Sequence, residues 1–141
     1  MRTPRKFVSL LLCGCLAGPL GCGGPDDRPE TGRVTGVVLL EGKPLPKAQV
    51  MFFPETGRMS QGETDENGKY ELIYLRDVSG AKVGNHKVQI TTSMRHIGDD
   101  GPPTTSPELV PRKYNVDSEL TATVEAGDNT IDFTLEGKRR Q

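Results

Sequence analysis

Glycine and proline punctuate this chain too heavily for a bundle of helices. The 141 residues include 17 Gly and 11 Pro, roughly a fifth of the chain, and inside a helix these residues cost about 1 and about 3 kcal/mol each. Between the breakers the apolar residues recur at every second position or in short blocks, with no sustained 3.6-residue period. Residues 130–136 alternate most cleanly, with Ile131, Phe133 and Leu135 set against Thr130, Asp132, Thr134 and Glu136. That spacing places the two sets on opposite faces of a strand, one for a core and one for water.

The same reading predicts strands over residues 33–40, 48–53, 61–64, 69–75, 86–92, 119–124 and 130–136. About seven short strands at this spacing describe an all-β chain folded as an antiparallel β-sandwich. Two turns are expected between them. Asp65-Glu66-Asn67-Gly68 closes a hairpin, with the Asp65 carboxylate accepting backbone N–H groups and Gly68 taking a left-handed position. Ala126-Gly127-Asp128-Asn129 is read as the second turn. The expected core comprises Val34, Val38, Leu45, Val50, Phe52, Tyr70, Leu72, Val88, Ile90, Leu120, Val124, Ile131, Phe133 and Leu135. Residues 93–118 fit no strand, since they hold Pro102, Pro103, Pro107 and Pro111 with little apolar periodicity. A connection of that length is unusual in a small domain. It is expected either to be disordered or a strap over the sheet edge, or else to form a binding loop.

The first residues belong to a different kind of segment. Arg2, Arg5 and Lys6 precede an apolar run starting at Phe7 and diluted by Gly14, Gly18, Pro19 and Gly21. The run is too short and too rich in glycine for a membrane span of about 20 residues, and it fits a secretory leader over residues 1–21. Cys13, Cys15 and Cys22 all lie in this part, and no cysteine follows in the remaining 119 residues. An exported domain without cysteines has no disulfide framework. Pro19-Leu20-Gly21-Cys22 resembles the lipobox of bacterial lipoproteins, with Pro19 standing where that family has Leu or another aliphatic residue. The resemblance implies lipidation of Cys22, carrying diacylglycerol and an acyl chain such as palmitate. Leu12-Cys13-Gly14-Cys15 leaves Cys15 as the alternative. Gly23 after Cys22 implies sorting to the outer membrane. Residues 22–32 read as a flexible linker, 33–137 as the folded domain and 138–141 as a basic tail.

Removing the leader also sharpens the charge. Three basic residues fall before Cys22, which leaves 15 basic against 19 acidic and a net charge of -4. Neither a basic excess nor a basic stripe is present, so nucleic acid is not an expected partner.

Three stretches resemble a known family. They are Val34-x-Gly36-x-Val38, then Gly42-Lys43-Pro44-Leu45-Pro46-x-Ala48-x-Val50, then Thr64-Asp65-Glu66-Asn67-Gly68-Lys69-Tyr70. Together they are similar to the carboxypeptidase regulatory-like domain, which implies a transthyretin-like (prealbumin-like) sandwich of about seven strands. Gly84 with His86-Lys87-Val88-Gln89-Ile90 resembles the next strand of that domain. Residues 109–136 are similar to the closing strands of short envelope lipoproteins that carry it. The domain occurs beside many catalytic partners and also alone, so the resemblance carries no activity.

No catalytic residue is assigned. The C-terminal Tyr-Arg-Gly-Ser of hydroxyisourate hydrolases is missing, and His86 and His96 lack the close spacing of the iron ligands in intradiol dioxygenases. No His-x-x-Glu zinc motif and no Gly-x-Ser-x-Gly elbow occurs. Asp65, Asn67 and Gly68 are read as structural turn residues rather than calcium ligands, and Asp99-Asp100 is an equally weak ligand pair. The expectation is a non-catalytic envelope protein with no metal and no cofactor. It would be held to a membrane by its lipid anchor and serve a structural, adhesive or interaction role toward an envelope protein or a glycan. The alternative is a module that recognises a polysaccharide or a peptide through residues 93–118.

Overall fold

A computed structural model describes residues 28–137; the leader, Cys15, Cys22, the linker up to residue 27 and the basic tail lie outside them. Strands dominate this region. In chain order they are β1 (Thr31–Leu40), β2 (Lys43–Pro44), β3 (Gln49–Pro54), β4 (Ser60–Glu63), β5 (Lys69–Glu71), β6 (Ile73–Leu75) and β7 (Val78–Ser79). There follow β8 (Ala81–Lys82), β9 (Gly84–Thr91), β10 (Arg95–His96), β11 (Thr104–Thr105), β12 (Thr121–Val124), β13 (Gly127–Thr130) and β14 (Phe133–Leu135). One 3-10 turn covers Arg112–Tyr114.

The strands form an all-β sandwich of two sheets. β1 is the spine of the first, flanked on one side by β8, β5 and β2 in antiparallel pairing and on the other by β13 and β14. The second sheet runs β12-β9-β3-β4-β6-β7, every pair antiparallel. β1 begins at Thr31, two residues inside the stretch expected to be linker. Its alternate residues Val34, Val38 and Leu40 are fully buried and face Val50, Phe52, Val88 and Ile90. The aromatic rings join the layers: Phe133 meets Phe52 edge-on at 6.1 Å and stacks on Tyr70 at 6.4 Å. Of the expected core, Leu120 and Ile131 are only half-buried, packed against its margin. Leu40, Ala48, Ala81 and Val110 join it.

Two details differ from the sequence-based expectation. The stretch 69–75 is not one strand, because it changes sheet at Leu72. β5 pairs with β1, whereas β6 pairs with β4. The Leu72 side chain fills the core between, while its N–H donates to Val34 O at 2.9 Å and its carbonyl accepts Gly80 N–H at 2.6 Å. The Asp65–Gly68 turn therefore links the two sheets instead of closing a hairpin within one. Its internal bonds are nonetheless those expected. Asp65 Oδ1 accepts Asn67 N–H at 2.8 Å and Lys69 N–H at 2.9 Å, and Gly68 has φ of 73°.

The second difference lies near the C-terminus. Residues 127–129, expected in a turn, belong to β13, and both β13 and β14 run parallel to β1. The reversal before β13 is made by Asn129, whose Oδ1 accepts Glu125 N–H at 2.9 Å while Nδ2 donates to Glu125 O at 2.8 Å and to Arg33 O at 3.1 Å. Between β13 and β14 the ladder is interrupted but the register is kept, with Thr35 opposite Thr130 and Val38 opposite Phe133. The gap is bridged by Ile131 N–H to Thr35 O at 2.8 Å and by Val37 N–H to Asp132 Oδ1 at 2.8 Å, a carboxylate standing in for a backbone carbonyl. The Ile131 carbonyl turns inward here, and a Cβ on Gly36 would lie 1.8 Å from it. Only glycine fits at that position. Tyr70 Oη donates to the same carbonyl at 2.6 Å, and burial first, then the nearby Asp132 charge, push its pKa up so that it keeps the proton.

Candidate functional site

β1 gives the molecule a long axis. At its start, Thr31 and Gly32 pair with β8 and β13, and Val83 N–H donates to Glu30 O at 2.9 Å. At its other end, Leu40 pairs with Leu135, and Gly137 N–H donates to the Glu41 carboxylate. Ten strand residues at ~3.3 Å each separate these ends by about 30 Å. Residues 93–118 occupy the far end beside Gly137, and the hydroxyl of Tyr114 within them accepts Glu136 N–H at 3.0 Å.

This segment is a strap with a defined conformation. It opens with the β10–β11 hairpin, continues to Leu109 and Val110 against the core and closes through the turn at 112–114. Glu108 clasps it to the end of β9. Its carboxylate accepts the Thr91 hydroxyl, Thr92 N–H at 3.1 Å, the Thr92 hydroxyl at 3.1 Å and Val110 N–H at 2.9 Å. Partial burial pushes the Glu108 pKa up, but these donors outweigh it and hold the carboxyl below the usual glutamate value. Leu109 N–H adds a bond to Thr92 Oγ1 at 2.7 Å, and buried Asn115 donates to Val110 O at 3.0 Å. A concavity of about 720 Å³ lies beside the clasp, walled by Ser93, Leu109, Pro111, Arg112 and Val116.

The two histidines are not brought together. His86 is buried in β9, its Nε2 paired with Lys82 O at 2.7 Å and its ring 5.6 Å from Phe52. Its Nδ1 has no hydrogen-bond partner among the described residues. His96 is exposed on the β10–β11 hairpin, beyond the other end of β9, with Nε2 at 2.8 Å from Ser106 Oγ. A Ser–His contact alone does not make a nucleophile: that chemistry also needs a group orienting the far ring nitrogen and donors for an oxyanion. Among the described residues no cluster of three or more His, Cys, Asp or Glu side chains could hold a metal ion.

A groove of about 650 Å³ crosses the outer face of the second sheet. Gln49 of β3, Gln61 and Glu63 of β4, and Ile73, Tyr74 and Leu75 of β6 line it, with Met59, Arg58 and Arg76 at the strand ends. It forms because β4 and β6 share the single pair Gln61 and Ile73 and then part. Gln49 Nε2 donates to Gln61 Oε1 at 3.2 Å. Tyr74 belongs to this groove and Tyr114 to the strap, so the two tyrosines form no common surface. Neither Glu108 nor the two groove arginines, Arg58 and Arg76, are singled out by the sequence. The trace of Glu108 there is a lone carboxylate between Pro107 and the apolar pair Leu109-Val110 in an otherwise polar loop.

No family model matches the chain, and no curated protein does. Among solved structures the chain is similar to a 9R-lipoxygenase from Cyanothece PCC8801, with a TM-score of 0.41 and 20% identity. The match covers 78% of this chain and 17% of that enzyme, a likeness too slight to carry an argument. No helix among the described residues is long and apolar enough to cross a membrane.

Proposed function

We propose that this is a non-catalytic lipoprotein module of the bacterial cell envelope, anchored through Cys22 and serving an interaction role. The observation that carries the reading is the spacing of Cys22 from Thr31, the first residue of the sandwich. Nine residues reach at most about 30 Å when fully extended, so a lipid on Cys22 holds the domain beside the bilayer. Two buried chains or more give stable anchoring where a single one does not. The tether enters at the start of β1, which leaves the strap at the end of the sandwich away from the lipid.

The carboxypeptidase regulatory-like resemblance is part of the same proposal. Its support is that the motif residues have structural work to do. Val34 and Val38 are core, Gly36 admits the Ile131 carbonyl, and Thr64 ties the 45–48 segment with bonds to Leu45 O at 2.6 Å and from Ala48 N–H at 2.8 Å. Asp65 and Gly68 make the turn, and Tyr70 caps the core.

Palmitate labelling of cells that express the full chain tests the anchor. Label is expected in the wild-type protein and absent from Cys22→Ala, which should also leave the membrane fraction. Label persisting in Cys22→Ala overturns the assignment to Cys22 and transfers it to Cys15.

A further inference from the structure

We infer that the groove lined by Arg58 and Arg76 binds an extended acidic peptide segment of another envelope protein. This deepens the interaction role proposed above and rests on it. Three observations lead to an anionic, partly apolar, extended ligand. Arg58 and Arg76 both line the groove, and neither forms an ion pair or a hydrogen bond among the described residues. The lining carries these two cations against one carboxylate, Glu63, so the groove is net positive in a domain that is acidic in sum. The floor beside the arginines is aliphatic: Ile73 is 49% exposed and Leu75 37%, with Met59 alongside.

Aliphatic side chains exposed on a sheet face accept aliphatic partners better than sugar rings, which stack on aromatic faces. The groove offers one aromatic residue, Tyr74, and it is half-buried. The split between β4 and β6 makes a trough bounded by extended strands, a shape that fits an extended chain whose side chains alternate. The antiparallel register of Gln61 with Ile73 sets Arg58 and Arg76 at the same end of the trough, where carboxylates of the peptide would meet them, and Val or Leu residues further along would cover Ile73 and Leu75. The Gln49–Gln61 amide pair leaves further donors for the peptide backbone. Glu63, at one end of the groove, excludes a carboxylate there and so favours one direction of binding.

The probe is a fluorescein-labelled Glu-Val-Glu-Val-Glu-Leu peptide, titrated by anisotropy against the full-length protein in detergent micelles. Saturable binding is expected, weakened about tenfold by Arg58→Gln with Arg76→Gln and weakened further by added salt. Lys87→Gln, on the same sheet face but outside the groove, should leave it unchanged. A circular-dichroism melt matched to wild type shows that the double variant is folded. The inference is overturned by unsaturable binding to the wild type, by equal affinity in the double variant, or by an acidic oligosaccharide that displaces the peptide. None of these results bears on palmitate labelling, so the groove and the anchor stand or fall separately.

Discussion

Two acidic side chains organise backbone in this molecule, and they do so over different ranges. Asp65 accepts the N–H groups of Asn67 and Lys69, both within four residues of it. Glu108 accepts from Thr91 and Thr92, sixteen or more residues earlier, as well as from Val110. The first makes a turn that the chain can form wherever it lies. The second exists only once β9 is in place, and it converts a proline-rich connection into an ordered strap. A local device depends on the residue types beside it, whereas a long-range clasp depends on the fold that presents its donors.

The largest expected effect tests the local device. Gly68→Ala should cost about 3 kcal/mol, because a left-handed φ penalises any Cβ and this one would lie 2.5 Å from Val38 O. Urea denaturation measures it, and a loss below about 1 kcal/mol would mean that the turn is not constrained as described. Next comes the clasp. Glu108→Ala should cost about 2 kcal/mol, since it leaves the N–H groups of Thr92 and Val110 unpaired. Faster amide exchange should be confined to residues 93–118, and a rise spread over both sheets would refute the separation of strap from sandwich.

Acid provides a gentler version of the same comparison. The Glu108 pKa is lowered by folding, so its contribution is complete above the unfolded value of about 4.3 and is lost as pH falls through the folded value. The stability gap between wild type and Glu108→Gln should therefore shrink below about pH 4, by less than about 1 kcal/mol for a carboxylate still open to solvent. A gap that widens on acidification would reverse the assigned direction. The smallest effect belongs to Asn67→Ala. The turn uses the Asn67 backbone N–H, which alanine retains, so the change should stay within about 0.5 kcal/mol. A larger loss would show that the side chain itself takes part.

Much of the sandwich was legible in the chain because burial has a period. Val34 and Val38, Val50 and Phe52, Val88 and Ile90, and Phe133 and Leu135 all point inward as their alternation implies. The candidate groove was not legible. Arg58 and Arg76 lie 18 positions apart in the chain, and only the packing of β4 beside β6 places them on one trough. The burial of His86 follows from the strand period, since its position in β9 matches the inward register of Val88 and Ile90. A single hydrogen bond to Lys82 O and the Phe52 ring accommodate it.

By itself the sequence determined that this chain forms short strands, where it bends at Asp65 and Gly68, and which residues face inward. Those properties follow from side-chain period and backbone sterics within a few residues. The tertiary structure alone decided which strands became neighbours. Alternation assigns a face and is silent about the partner, so the parallel pairing of β13 and β14 with β1 could not be read from residues 127–135. The same holds for the change of sheet at Leu72 and for the Glu108 clasp, whose hydrogen bonds join groups that only the packed sheets bring together.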